Sequence, residues 1–150
     1  MPPVTLGVLV GSRGFFPKHL CQQGRRAILN VLRQAGFHIV TLTEQDTPQG
    51  SIESLSDARK AADLLRANDA RIDGLLVTLP NFGDERAVAN AIRWSGLRVP
   101  VLVHAFPDAV DRMSAADRRD AFCGKMSVCN ALRQYGIPFT LPRLHTEDPA

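Results

Sequence analysis

Short apolar runs alternate along the chain with stretches that are apolar on one side only. Runs of consecutive apolar residues predict buried strands, and apolar residues three or four positions apart predict helices that bury one face. The strands predicted in this way are 6–10, 37–42, 74–79 and 99–103, with a weaker fifth at 138–141. The helices predicted between and after them are 17–35, 55–65, 84–95 and 124–135.

This order of elements predicts an α/β fold with a three-layer, flavodoxin/Rossmann-like parallel sheet of about five strands and helices on both faces. We expect the flavodoxin-like strand order. Residues 1–143 are predicted to form one Rossmann-like domain, and 144–150 to begin an interdomain linker. Ligands of such sheets bind beyond the carboxyl ends of the strands, so function is sought after Val10, Leu79 and Val103.

Composition narrows the class of protein. The chain has 150 residues, the length of one domain, with 45% hydrophobic and 22% charged residues. The net charge is +3, but basic and acidic residues are interleaved, so nucleic-acid binding is not predicted. No apolar run is long enough to span a bilayer, and three cysteines do not suggest a disulfide framework. A cytoplasmic protein without a membrane partner is expected.

The turn after the first strand is a candidate binding loop. Its sequence is GSRG at 11–14, and it precedes a helix, so backbone amides there can hold an anionic or hydroxyl-rich ligand while Arg13 adds a charged donor. A plain tight turn is an equally good interpretation. The spacing fits neither the dinucleotide nor the ATP phosphate loop. Phe15 and Phe16 follow, and adjacent rings in a loop point different ways, which favours one of them at the surface.

Two further segments lie at the same predicted edge. Asn81 and Phe82 follow the third strand and offer an amide beside an aromatic face, which suits a sugar, whereas Asp84 is expected to cap the next helix. His104 opens the segment 104–111, which also contains two aspartates and suggests a metal site. Pro107 and the lack of further ligands favour a solvated loop instead.

The last predicted helix begins in the unusual segment 122–130. Lys125 and Asn130, near its amino end, are candidates to bind hydroxyl or anionic groups, with helix capping as the alternative. Cys123 and Cys129 are too far apart for a CxxC site. No catalytic residue and no metal ligand is predicted anywhere in the chain.

Three segments carry a resemblance to a known family: LGVLVGSRGFFP at 6–17, TLPNFGDE at 78–85 and FCGKMSVCN at 122–130. The chain resembles the amino-terminal domain of the L-fucose/L-arabinose isomerases, whose members are several times longer, so we expect it to be truncated. The resemblance implies metal-dependent aldose–ketose isomerisation by the full-length parent, with Mn²⁺ or a similar divalent metal bound in later domains. It also implies a homo-oligomer in which Arg13, with Phe15 or Phe16, covers a sugar shared with a neighbouring subunit, and Phe82 supplies a second aromatic contact. The chain alone is expected to be inactive.

A second hypothesis is a free-standing flavodoxin-like domain that binds a small molecule such as a nucleotide or a flavin. A yellow bound cofactor, or a melting temperature raised by nucleotide, would favour this hypothesis. The sequence argues against it, because no Thr- and Ser-rich phosphate-binding loop follows the first strand.

Overall fold

The computed structural model describes residues 3–149. Its four strands all run parallel and are β1 (Thr5–Val10), β2 (His38–Val40), β3 (Gly74–Leu79) and β4 (Val101–Ala105). Its four helices are α1 (Lys18–Gln34), α2 (Leu55–Arg66), α3 (Glu85–Ser95) and α4 (Ala121–Gln134). Single turns of 3-10 helix lie at Pro48–Gly50 and Asp69–Arg71. The predicted α/β fold with a parallel sheet is confirmed.

The strand order is β2-β1-β3-β4, so the chain moves outward in both directions from β1, as the flavodoxin-like order requires. Helix α1 covers one face of the sheet, where Ile28, Leu29 and Leu32 pack with Val8 and Val10. Helices α2, α3 and α4 cover the other face and contribute the larger core, which includes Leu65, Val88, Ile92, Val128 and Leu132. Burial on both sides explains why the strands are continuous apolar runs.

The sheet has four strands, not about five. The predicted strand at 138–141 is reduced to one parallel bridge between Thr140 and Leu102. The Thr140 amide donates to Val101 O at 2.8 Å, and Thr140 O accepts from the amide of Val103 at 3.0 Å. Pro138 and Pro142 lie on either side of the bridge, and proline has no amide to donate to a longer ladder.

Side-chain caps determine where α2 and α3 begin. Ser54 Oγ accepts a hydrogen bond from the Asp57 amide at the start of α2, and Asp84 Oδ1 accepts one from the Ala87 amide at the start of α3. The predicted Asp84 cap is confirmed. The predicted start of α4 at 124 is wrong, because the helix begins three residues earlier at Ala121.

Candidate functional site

The loop after β1 is held in place by backbone hydrogen bonds to residues that are distant in sequence. Gly11 N donates to Thr78 O at 3.0 Å, and Ser12 N donates to Ile52 O at 3.1 Å. A turn follows in which Phe16 N donates to Arg13 O at 2.9 Å. The loop is therefore a formed surface at the carboxyl edge of the sheet, the edge where ligands of such folds bind.

The turn separates the two neighbouring phenylalanines. Phe16 is 5% exposed, whereas Phe15 is 71% exposed, although the two ring centroids are 4.7 Å apart. The expected difference in direction is confirmed. Burying a large apolar ring is favourable, so Phe16 is part of the packed interior, whereas Phe15 keeps most of its ring in solvent and rests on Phe16.

Arg13 joins the loop after β1 to the loop after β3. Its guanidinium carbon lies 4.5 Å from the centroid of the Phe82 ring, and its terminal nitrogen forms an ion pair with the Glu85 carboxylate. The Phe82 ring also stacks on Phe16 at 6.0 Å. Arg13 and Glu85 have only 27% and 25% of their side chains exposed, so their contact is less screened than a surface pair.

The sequence predicts Arg13, Phe15, Phe16 and Phe82 at one edge of the sheet, and the structure places them together. Glu85 was not predicted as a site residue and was named only as the last residue of the segment 78–85. The available signal was its position, because an acidic residue directly after a helix cap at the ligand edge can pair with a cation from the neighbouring loop. We call Arg13, Phe15, Phe16, Phe82 and Glu85 the aromatic–ion cluster.

Asn81 is fully buried, and its amide is occupied by the two loops that it joins. Nδ2 donates to Ser12 Oγ at 3.1 Å, and Oδ1 accepts from the Gly83 amide at 3.1 Å. A fully buried amide that is already hydrogen-bonded on both sides holds the loops in place. Asn81 therefore positions the aromatic–ion cluster from beneath, and its side chain is not at the surface.

Helix α4 closes on the same loop from the other side. At Gly124, the position that an added Cβ would take is only 1.9 Å from the Phe82 carbonyl oxygen. Only glycine lets a helix approach another backbone this closely. The segment 122–130 therefore contributes to the site through Gly124, whose lack of a side chain allows the close contact with Phe82. This role was not predicted from the sequence.

The predicted binding residues of α4 lie elsewhere. Lys125 is 0% exposed and its Nζ donates to His145 O at 2.7 Å; burial lowers the pKa of its ammonium group. It lies inside α4, because the helix begins at Ala121. Asn130 is exposed, about 9 Å further along the helix axis than Gly124 at 1.5 Å per residue. The structure does not bring these two side chains to the aromatic–ion cluster.

The long connection between β4 and α4 is held at both ends. Asp108 accepts hydrogen bonds from the amides of Ala121 and Phe122, at 3.1 and 3.0 Å, and so caps α4 from a distance. Near the other end, Arg119 donates to Pro80 O at 2.8 Å, and burial lowers the pKa of its guanidinium. Of the expected solvated loop at 104–111, Pro107 and residues 109–111 are exposed, whereas the expectation is wrong for the buried residues 104–106 and for Asp108, which is hydrogen-bonded within the fold.

His104 is buried and is bonded at both ring nitrogens. Nδ1 lies 2.9 Å from Thr78 Oγ1, and Nε2 lies 2.9 Å from Glu147 O. A carbonyl can only accept, so Nε2 carries the proton and Nδ1 accepts from the threonine hydroxyl. Burial lowers the pKa of His104, which keeps the ring neutral at neutral pH.

The segment 144–148, which follows the bridge between Thr140 and Leu102, lies against the sheet. Besides the bonds from Lys125 and His104, Glu147 N donates to Ala105 O at 3.0 Å, and the His145 ring lies 4.2 Å from that of Phe122. We call 144–148 the terminal strap. Through these contacts it packs beside the carboxyl ends of the strands.

Among residues 3–149, no group of three or more His, Cys, Asp or Glu side chains is arranged to hold a metal ion. His104 has no free nitrogen, and Asp108 is used as a cap. Within the same range, no helix is both long enough and apolar enough to cross a membrane.

Comparison with known proteins then decides the family. The family model described as "Fucose/sulfoquinovose isomerase, N-terminal domain" matches residues 7–150, which is nearly the whole chain. The chain belongs to this family. The match to the fucose/sulfoquinovose isomerase domain includes 7–17 of the first segment on which the resemblance rested, the other two segments in full, and every residue of the aromatic–ion cluster. A search of curated proteins finds no match.

Proposed function

We propose that this domain supplies the substrate-covering surface of a metal-dependent aldose–ketose isomerase, in which the aromatic–ion cluster contacts the sugar. The observation that carries the proposal is the exposed Phe15 ring, which is linked through the rings of Phe16 and Phe82 to the Arg13–Glu85 ion pair at the carboxyl edge of a parallel sheet.

The cluster has the chemistry that a sugar needs. A sugar presents C–H groups on one side and hydroxyl groups around its rim, so it binds best where an apolar ring lies next to charged donors and acceptors. Phe15 provides the exposed ring. The Arg13 guanidinium has five N–H donors, of which the Glu85 carboxylate engages only part, and that carboxylate can itself accept from a sugar hydroxyl.

In this proposal the bond-making chemistry lies outside the domain. A divalent metal, Mn²⁺ or a similar ion, would be held in later domains of the parent, where it would supply Lewis-acid polarisation of the sugar's oxygens. The described residues do not fit this ion, because His104 and Asp108 are already engaged within the fold. The role of this chain is then to bind and orient the sugar and to keep water away from it.

The exposure of Phe15 also supports the proposal that the domain acts within a homo-oligomer. An aromatic side chain that is 71% exposed gains most when a second surface closes over it together with the ligand. We propose that this second surface belongs to a neighbouring subunit, which would hold the other side of the same sugar.

The test is sugar binding by the chain in the absence of metal, followed residue by residue with amide NMR. On titration with L-fucose we expect shifts confined to 12–16 and 81–86, with a dissociation constant on the order of millimolar because only half of the site is present. Phe15→Ala should abolish these shifts. Phe122→Ala removes a second exposed ring, whose aromatic contact is with His145 of the terminal strap, and should leave them intact.

A parallel assay tests the location of the chemistry. The chain with Mn²⁺ and a panel of aldoses should give no ketose above the level of Mn²⁺ alone. Turnover by the chain would place a complete catalytic centre within it. Sugar-induced shifts that lie elsewhere, or that survive Phe15→Ala, would remove the cluster from the proposal.

A further inference from the structure

A second surface of the domain, unrelated to the sugar-binding edge, lies along the open side of β2. This strand is at the edge of the sheet and pairs on one side only, with β1. His38 N donates to Val4 O at 2.9 Å, so the backbone of His38 faces inward. Because the direction of backbone groups alternates along a strand, the N–H and C=O of Ile39 face outward. The edge can therefore accept another strand.

A hollow of about 550 Å³ runs along this edge, from Phe37 at the start of β2 to Thr43 beyond its end. Arginines border it on both faces of the sheet. Arg25 and Arg33 come from α1, and Arg71 comes from the turn before β3. We call Ile39, Arg25, Arg33 and Arg71 the basic edge.

These arginines have no acidic partner within the described part of the chain. The ion pairs there join other residues, and no carboxylate lies within 4.0 Å of the guanidinium nitrogens of Arg25, Arg33 or Arg71. Arg25 donates to Leu42 O at 2.7 Å, and Arg71 donates to Asn68 Oδ1 at 2.9 Å, both neutral acceptors. Three positive charges without acidic partners thus surround the open edge of β2.

The spacing of the arginines matches an extended chain. Arg25 and Arg33 are eight residues apart on a helix, which is about 12 Å along its axis. In an extended strand, residues four positions apart are separated by about 13 Å and lie on the same face. Acidic side chains at such positions would therefore reach Arg25 and Arg33 together, while an acidic residue on the opposite face would reach Arg71.

We propose that the basic edge binds an extended acidic segment of a partner protein, which pairs with Ile39 as an additional strand and places its carboxylates against Arg25, Arg33 and Arg71. Main-chain hydrogen bonds would supply a sequence-independent part of the affinity, and the charges would select the partner and orient it.

The observations disfavour two other occupants. A second copy of this chain, paired edge to edge, would bring two sets of uncompensated arginines together, and like charges across an interface oppose association. A nucleic acid would make no use of the outward N–H and C=O of a strand edge, because its backbone is read through phosphate contacts.

The test uses a fluorescein-labelled peptide of about nine residues with the repeat Glu-Glu-Thr-Thr, which places carboxylates four positions apart on one face of an extended strand and further carboxylates on the other face. Binding is followed by fluorescence anisotropy at low ionic strength. We expect Arg33→Glu/Arg71→Glu to weaken binding by at least about tenfold, because two attractive contacts become repulsive. The matched control is Arg98→Glu/Arg133→Glu, which reverses two exposed arginines elsewhere and should retain more than half of the affinity. If the first double variant fails to fold, the single variant Arg33→Gln replaces it.

Amide hydrogen exchange supplies a readout that simple charge attraction would not move. Bound peptide should slow exchange at Ile39 by at least about tenfold, since that N–H gains an acceptor. Absence of binding, equal weakening by both double variants, or unchanged exchange at Ile39 would each overturn the proposal. So would equal affinity for an oligothymidylate of the same charge, or self-association of the free chain that Arg33→Glu/Arg71→Glu abolishes.

Discussion

At the scale of single residues, the site contains pairs of adjacent residues with different burial and different contacts. Phe15 is exposed while Phe16 is buried, and Gly124 admits the Phe82 backbone while Lys125, the next residue, is sealed inside. The sequence predicted that the two rings would differ, because adjacent loop residues point apart. It did not predict Lys125, because a lysine is rarely fully buried and only the returning terminal strap supplies its acceptor.

Gly124→Ala should destabilise the domain. The added methyl group would lie 1.9 Å from the Phe82 carbonyl oxygen, so α4 or the loop after β3 must shift. We expect the free energy of unfolding to fall by about 2 kcal/mol in urea titrations, after the small gain from replacing a helical glycine.

Gly74→Ala is the matched control, since a Cβ there meets nothing nearer than 3.5 Å. It should change stability by less than about 1 kcal/mol. Equal losses in the two variants would show that the contact with Phe82 is not what requires glycine at position 124.

His104 is predicted to make stability depend on pH. Burial lowers its pKa in the folded chain, so between the folded and unfolded pKa values the unfolded state binds more protons. Its contribution to stability is therefore full above the unfolded pKa of about 6.5 and is lost as the pH falls below that value. Urea midpoints should decrease from pH 7 towards pH 5.5.

His104→Gln should flatten this dependence, whereas His38→Gln, which changes an exposed histidine, should preserve it. A slope that persists in His104→Gln would assign the titration to another group.

At the scale of the elements, the hydrophobic pattern predicted every helix and the four strands, and β3 was predicted at its observed bounds. The errors at α4 and β4 come from contacts with residues far along the chain, whereas the error at the fifth strand has a local cause. Helix α4 begins early because Asp108 caps it from a preceding loop, and the fifth strand shrinks to a bridge because prolines border Thr140. Strand β4 lies at Val101–Ala105, two residues later than predicted, since its register is set by pairing with β3.

Asp108→Ala should fray the start of α4. The substitution removes the acceptor of two amide hydrogen bonds at an end of a helix that has no side-chain cap from its own flanking residue, Asp120. We expect a loss of about 1–2 kcal/mol in unfolding free energy and faster amide exchange at Ala121 and Phe122.

Asp111→Ala, an exposed position in the same connection, is the comparison and should be nearly neutral. If exchange at Ala121 and Phe122 is unaltered in Asp108→Ala, the cap is not what determines where α4 begins.

At the scale of the whole molecule, two surfaces of different character lie on one sheet. The aromatic–ion cluster occupies the carboxyl edge of β1 and β3, and the basic edge runs along the side of β2. The position of the first could be predicted from sequence, because strand ends locate it. The second could not, because Arg25, Arg33 and Arg71 come together only when α1 and the turn before β3 pack on either side of β2.

The three thiols report on the packing of the whole domain. Cys123 is exposed, Cys129 is partly buried and Cys21 is fully buried; burial raises the pKa of both Cys129 and Cys21, which reduces their reactive thiolate. With a thiol-specific disulfide reagent we expect Cys123 to react first, Cys129 more slowly and Cys21 only on unfolding.

Cys123→Ser should remove the fast phase alone. Rapid reaction of Cys21 in the native chain would mean that α1 separates readily from the sheet, contrary to the packing described above.

The division between Phe15 and Phe16 has a consequence for how this surface can change during evolution. Phe16 is part of the packed interior, so its replacement is opposed by loss of stability, whereas Phe15 contributes little to folding. Selection can therefore exchange the residue at position 15 freely and still keep the chain above the stability that it needs. Substitutions at position 15, next to the buried Phe16, can therefore change ligand preference within the family without loss of the fold's stability.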